Sequence, residues 1–287
     1  MLRSSASGVN TGTAKTDEES YLVAGLPIDA KKKARRPSWM LPIACIASCF
    51  VGYTLCHYPA KGHQENVIVK NATTDACLET VRNQGVPTFM DRNQLGSILE
   101  RENKTVGVEL GVQGGYYSNI ILSQWPSCRE YHLVDLWAHQ ENYEDLANAD
   151  QAEQDRLYNE SIENTKDWKD KIRICRNYTS VCVEKMPDGH FDFVYVDARH
   201  DYKGVYEDVR AWWPKLRVGG IMAGHDYVTQ DDGPQQSDQD WTTNYDGTKD
   251  ETGTVVKGAV DKFATEVCRQ LTISYREGEW NTWAMRK

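Results

Sequence analysis

The sequence predicts an α/β domain built on a mostly parallel sheet covered on both faces, closed by an antiparallel C-terminal strand pair and preceded by one transmembrane helix. Three observations carry this. From about Leu95 onward, five short β-type runs (TVGVEL, EYHLVDL, KIRIC, FDFVYVDA and GGIMAGHD) alternate with segments of helical spacing, and such alternation requires crossover connections between parallel strands. The chain then ends on a helical segment, VVKGAVDKFATEV, and two strand-like runs, LTISYRE and WNTWAMRK, separated only by Gly-Glu, too short a link for a crossover. Far upstream, Ser38 to Cys56 runs 19 residues without a charge, long enough as a helix to reach roughly 28 Å, close to the hydrocarbon thickness of a bilayer.

The N-terminal third sets the topology. Residues 1–37 are polar, without a period, and read as a disordered cytosolic tail. Residues 38–57 read as a transmembrane signal anchor, 58–94 as a stem with a helical lead-in, and 95–287 as the catalytic domain. Lys31 to Arg36 (KKKARR) precede the apolar run, while Lys61 is the nearby basic residue after it, so the positive-inside rule leaves the N-terminus in the cytosol. A single-pass type II protein of the Golgi or endoplasmic reticulum, with a lumenal body, is the expectation. Four glycosylation acceptor triplets, at Asn71, Asn103, Asn159 and Asn177, all follow the apolar run and agree with that side of the membrane.

Charge and cysteines narrow the partners. Net charge is −9 over 287 residues; residues 1–36 hold seven Lys/Arg against four Asp/Glu, leaving 26 against 38 in the rest. An acidic body repels phosphates, so nucleic acid is excluded as a partner. Cys77, Cys128, Cys175, Cys182 and Cys268 follow the apolar run, so one or two disulfides and a leftover thiol are expected in an oxidising lumen.

Within the body, the first strand runs into the turn Gly111-Val112-Gln113-Gly114-Gly115, with an acid at Glu109 and a helix from about Tyr116. Glycines permit positive φ and close ligand approach, and a helix start offers free N–H groups. Twenty residues beyond Gly115, the second strand ends in Asp135, where an acid suits a ribose hydroxyl pair. A nucleoside is the expected guest. Gln113 replaces the central glycine that pyrophosphate binding needs, which counts against a nicotinamide-dependent oxidoreductase. Each feature has a plainer reading: a tight turn for the glycines and a helix cap for Asp135.

The E-x-G-x-x-x-G form, Glu109 to Gly115, resembles the first motif of class I S-adenosylmethionine-dependent methyltransferases. The resemblance extends to Phe191–Tyr227, FDFVYVDARHDYKGVYEDVRAWWPKLRVGGIMAGHDY, similar to a block in which one strand ends in V-D-x-x-H-x-Y and the next in G-G-x-x-x-x-H-D. It covers about Thr105 to Lys287. It implies a Rossmann-like doubly wound fold and S-adenosyl-L-methionine as cofactor, held by Glu109, Gly111, Gly114, Gly115 and Asp135. Asn177, just past the third strand, takes the position where related enzymes place a polar side chain beside adenine. A glycan there would block the pocket, so either Asn177 stays unmodified, which is the expectation, or it is not the adenine contact.

Asp197, His225 and Asp226 end adjacent strands and should converge on the methyl-transfer point. Methylation of a hydroxyl needs a base, and histidine suits it; His225 and His200 are the candidates, with backbone-bonded and helix-capping histidines as the plainer readings. Asp197 and Asp226 are also candidate ligands for Mg²⁺, which would acidify the acceptor hydroxyl, although related metal-dependent enzymes have a further acid where His225 stands. The compartment points to a glycan or small metabolite as acceptor. A silent lumenal binding module is the competing class. The polar insertion Thr229–Thr252 is expected to be a disordered surface loop, with a lid as the second reading.

Overall fold

The computed structural model describes residues 85–287. The N-terminal tail, the apolar run and most of the expected stem lie outside the described residues, as does Asn71. Among the described residues no helix is long and apolar enough to cross a membrane.

Seven strands form one sheet in the order β3-β2-β1-β4-β5-β7-β6. The first five are β1 (Val106–Leu110), β2 (Glu130–Asp135), β3 (Ile172–Arg176), β4 (Phe191–Val196) and β5 (Leu216–Gly224), all mutually parallel. β7 (Trp283–Arg286) pairs antiparallel with both β5 and β6 (Thr272–Ile273). The chain moves outward from β1 to β3 and then restarts on β1's other side at β4. The carboxyl ends of β1 and β4 therefore flank the switch point, where an open sheet of this kind binds ligands.

The strands read as continuous apolar runs because both faces are buried. Val108, Val134, Val194 and Met222 point to one face, packed with Val183 of α4 (Thr179–Val183), Val205, Val209 and Trp212 of α5 (Tyr202–Trp212), and Val260 and Phe263 of α6 (Val255–Glu266). Tyr131, Leu133, Phe193 and Tyr195 point the other way, onto Leu95 and Ile98 of α1 (Leu95–Arg101), Ile121 and Leu122 of α2 (Tyr116–Ser123) and Leu157 of α3 (Gln151–Asn164). Asp150 caps α3 by accepting from the Glu153 N–H, and Asp201 caps α5 by accepting from the Gly204 N–H at 3.0 Å; each supplies a partner for a helix-start donor.

Four details differ from the sequence expectations. Leu216 continues the spacing of Val205, Val209 and Trp212, but α5 ends at Trp212 and Leu216 opens β5; Pro214 intervenes, and it cannot extend the helical hydrogen bonding. The last two strands are joined not by a tight turn but by residues 274–282, which fold around Glu277: its carboxylate accepts from the Thr282 N–H, the Ser274 hydroxyl and the Arg92 N–H. The lead-in packs onto the domain, with Val86 and Phe89 buried and the Val86 carbonyl accepting from Thr272 Oγ1 at 2.9 Å. The insertion after β5 is folded rather than disordered: Trp241 is buried, Asp240 bridges to Glu144, and Pro234–Ser237 form a 3₁₀ turn.

Candidate functional site

The glycine turn after β1 is shaped by its contact with the end of β4. Gly111 has φ 83°, and a Cβ there would fall 1.8 Å from the Asp197 carbonyl oxygen. Positive φ and this close approach both demand glycine. Around it, Gly111 N–H donates to Val134 O at 2.9 Å and Asp197 N–H donates to Leu110 O at 2.7 Å, so the carboxyl ends of β1, β2 and β4 are tied at one point.

Asp135 stitches the next layer. Its Oδ2 accepts from the Val112 and Gln113 N–H groups at 2.8 and 2.9 Å, and its Oδ1 accepts from the Trp137 N–H at 2.7 Å. The Trp137 indole donates in return to Gln113 O at 2.8 Å. Asp135 thus stands on the cavity wall while holding the turn in shape. Gly114 and Gly115 face elsewhere, against α3: Gly114 O accepts from Asn164 Nδ2 at 2.8 Å, and a Cβ on Gly115 (φ 75°) would meet Ser161 Cα at 2.9 Å. These two glycines let α2 begin close to α3 and do not line the cavity.

Glu109 is buried under the turn, its Oε2 accepting from the Ser118 hydroxyl at 2.6 Å and the Tyr131 hydroxyl at 3.0 Å. Burial pushes its carboxyl up to about 8, against the pull of those two donors. Asn177 lines the far end of the cavity, its N–H donating to Asp135 O at 3.0 Å, inside a short loop closed by the Cys175–Cys182 disulfide. Cys268 is also disulfide-bonded, and Cys128 is a buried free thiol.

At the ends of β4 and β5, Asp197, His200, His225 and Asp226 converge. His200 Nε2 lies 3.4 Å from Asp197 Oδ1 and 3.2 Å from Asp226 Oδ2, while its Nδ1 lies 2.8 Å from Asp145 Oδ2. Burial works against the cation, but the three carboxylates outweigh it and raise the His200 pKa well above its ordinary value. Both nitrogens are engaged, and the ring packs on Trp241 with centroids 4.3 Å apart.

His225 is held from one side only. Its Nδ1 lies 2.8 Å from Asp226 Oδ1, and its Nε2 has Glu277 Oε1 at 3.9 Å, beyond hydrogen-bond reach. Burial lowers its pKa, but Asp226 and then Asp197 raise it, and the net shift is upward. Arg92, reaching in from the lead-in, places Nη1 3.3 Å from Asp197 Oδ2 and packs over the Tyr117 ring.

Asp197, His225 and Asp226 offer ligand atoms within 4.8 Å of one another. Yet each of the four Asp197 and Asp226 oxygens already faces a cation or imidazole: Arg92 and His200 on Asp197, His225 and His200 on Asp226. Mg²⁺ demands several oxygen ligands in near-octahedral array, and this donor set does not fit it without displacing Arg92 and His200.

Sequence reasoning missed Arg92, Tyr143, Asp145 and Glu277, and it placed Trp241 only in a possible lid over the acceptor. Asp145 and Tyr143, which holds His200 Nδ1 at 3.1 Å, lie in the loop after β2, and Arg92 in the lead-in; no local motif marks them. Arg92, Tyr143, Asp145 and Trp241 line one cavity of about 1690 Å³, larger than the 300–1,000 Å³ typical of a single ligand, so there is room for a cofactor and an acceptor together.

Residues 108–227, spanning the glycine turn, Asp135, Asp197 and the His225-Asp226 pair, match a family described as a methyltransferase domain. The matched segment is a methyltransferase domain. No curated protein matches the methyltransferase in sequence. Solved structures similar to it include a putative O-methyltransferase from Klebsiella pneumoniae (16% identity, TM-score 0.47, covering 68% of this chain and 80% of that one). Another is a putative caffeoyl-CoA O-methyltransferase from Staphylococcus aureus (12%, 0.46, 70% and 86%). A third is the Bacillus cereus O-methyltransferase in complex with SAH (14%, 0.44, 75% and 92%).

Proposed function

We propose that this methyltransferase methylates a hydroxyl on a glycan or small metabolite in the lumen of the secretory pathway, with His225 as general base and without a metal. The observation that carries the reading is the one-sided support of His225. Asp226 fixes Nδ1 and leaves Nε2 without a hydrogen-bond partner among the described residues. A histidine presented that way accepts a proton from a hydroxyl placed against Nε2.

The remaining roles follow from position. S-adenosylmethionine supplies an electrophilic methyl on a cationic sulfur. Glu109 is placed to face the cofactor's ammonium, the Gly111 turn lets the cofactor approach backbone, and Asp135 and Asn177 border the nucleoside end. Asp197 would add negative charge on the side of the pocket where the methyl group is transferred; His200 first, then His225 and Arg92, hold it ionised against its burial. His200 acts as a buried cation that positions Asp197 and Asp226 rather than as a base, since a doubly engaged imidazolium has no site for a proton. Trp241 and Trp280, 5.7 Å apart, give the acceptor side aromatic faces suited to the apolar face of a sugar ring.

Lumenal placement is supported by the Cys175–Cys182 disulfide, which belongs to an oxidising compartment. Asn103 and Asn159 are exposed, as glycan-bearing residues must be. The test is incubation of the full chain with labelled methyl donor and fractionated glycans or hydroxylated metabolites, with and without chelator. His225→Ala should cut turnover by roughly 10² or more, and chelator should leave turnover unchanged. Undiminished turnover in the variant removes His225 from the role; loss with chelator, restored by Mg²⁺, reinstates the metal reading.

A further inference from the structure

We propose that Glu130, His132 and His190 form a Zn²⁺ site at the end of the sheet opposite the catalytic cavity. Glu130 opens β2, His132 lies two residues along it, and His190 immediately precedes β4. All three therefore sit at the amino-terminal ends of the parallel strands, whereas Asp135 ends β2 and Asp197 and His225 follow the carboxyl ends of β4 and β5.

The geometry is that of three ligands around one point. Glu130 Oε1 lies 2.5 Å from His132 Nε2 and 3.3 Å from His190 Nε2, and one ligand atom from each residue falls within 4.8 Å of the others. Zinc bonds of about 2.0–2.1 Å at tetrahedral angles set ligand atoms roughly 3.3 Å apart. The Glu130–His190 pair already has that spacing, and the Glu130–His132 pair reaches it by a small carboxylate rotation. Two imidazoles and one carboxylate are a borderline-soft set that selects zinc over Mg²⁺ or Ca²⁺.

Packing holds the rings in place before any ion arrives. Both sit edge-on against Phe191, with centroids 5.1 Å away for His132 and 4.8 Å for His190, and Phe191 is fully buried. Glu130 and His190 keep 32% and 26% of their side-chain surface exposed. An ion thus has a route in, and water has a fourth position. Such an ion would pin the start of β2 to the start of β4 across β1, on the side of the domain that carries no catalytic group, which makes its role structural.

The experiment is calorimetric titration of the full chain, solubilised in detergent, without a polyhistidine tag and cleared of metal by chelator, with Zn²⁺, and a parallel Co²⁺ titration read in the visible spectrum. One tight equivalent is expected, with a tetrahedral Co²⁺ spectrum and a rise in Tm on adding Zn²⁺. His190→Ala and Glu130→Gln, both at half-exposed positions, should each weaken binding at least tenfold and abolish the Tm rise while leaving cofactor binding intact. Asp197→Asn should leave Zn²⁺ affinity unchanged. The proposal is overturned if wild type binds no Zn²⁺, if both His190→Ala and Glu130→Gln bind it as tightly as wild type, or if Asp197→Asn removes it.

Discussion

Gly111 lies directly against Asp197: the space where a Cβ would stand at residue 111 is filled by the Asp197 carbonyl oxygen, 1.8 Å away. The glycine turn after β1 and the acid at the end of β4 are therefore one mechanical unit. Gly111→Ala has to relieve both the clash and a φ of 83°, which together cost about 2–5 kcal/mol. Chemical denaturation should show that loss. Cofactor affinity should fall by at least tenfold even in molecules that remain folded, because relief of the clash displaces Asp197. A variant as stable as wild type would mean that the two strand ends move independently.

The upward shift of His225 has a consequence for the pH profile. Asp226 and Asp197 favour the imidazolium, and a base must be neutral to accept a proton. Activity should therefore rise with pH through the raised His225 pKa. Asp226→Asn removes the largest favourable contribution to the cation, so the acidic limb of kcat/KM should move to lower pH while the maximum rate falls. An acidic limb that stays in place in Asp226→Asn would assign it to another group.

The five parallel strands were legible because each buries side chains on both faces, leaving an apolar run that only turn residues interrupt. Asp197, His225 and Asp226 were legible because they end two neighbouring strands, and strand ends converge whatever the intervening helices do. The limits were equally physical. Arg92 meets Asp197 across 105 residues, and Trp241 meets His200 from an insertion whose polar composition hides one buried indole. Gly114 and Gly115 look like ligand-binding glycines, but their demand for space comes from α3. The double duty of Asp135, on the cavity wall and inside the glycine turn, depends on which backbone N–H groups it meets, and spacing alone does not carry that information.

Asn177 is the acceptor triplet that should stay bare. Its loop is closed by the Cys175–Cys182 disulfide, its N–H is bonded to the Asp135 carbonyl, and it lines the cavity. Enzymatic deglycosylation of protein from the secretory pathway should give mobility shifts that Asn103→Gln and Asn159→Gln each reduce by one step. Asn177→Gln should change nothing in mobility. A missing step in Asn177→Gln would place a glycan in the cavity and overturn the proposal that Asn177 borders the nucleoside there.

Glu109 should make stability and cofactor binding depend on protons. Its carboxyl is pushed up to about 8 by burial, from an ordinary value of 4.5. Below pH 4.5 the group is protonated in both folded and unfolded chains, and its contribution is fully present. As pH rises toward 8, the unfolded chain releases the proton while the folded chain keeps it, so stability falls by up to about 1.4 kcal/mol per pH unit and levels off above the folded pKa. Glu109→Gln cannot ionise and should flatten that slope in denaturation measured from pH 5.5 to 8. The cofactor's ammonium, docking beside Glu109, would favour the carboxylate. Binding at pH 7 should then release up to about one proton, read by calorimetry in buffers of different ionisation enthalpy. Glu109→Gln should abolish that release and weaken binding. Equal proton release by wild type and variant would show that Glu109 remains protonated under the bound cofactor and that the ammonium is held elsewhere.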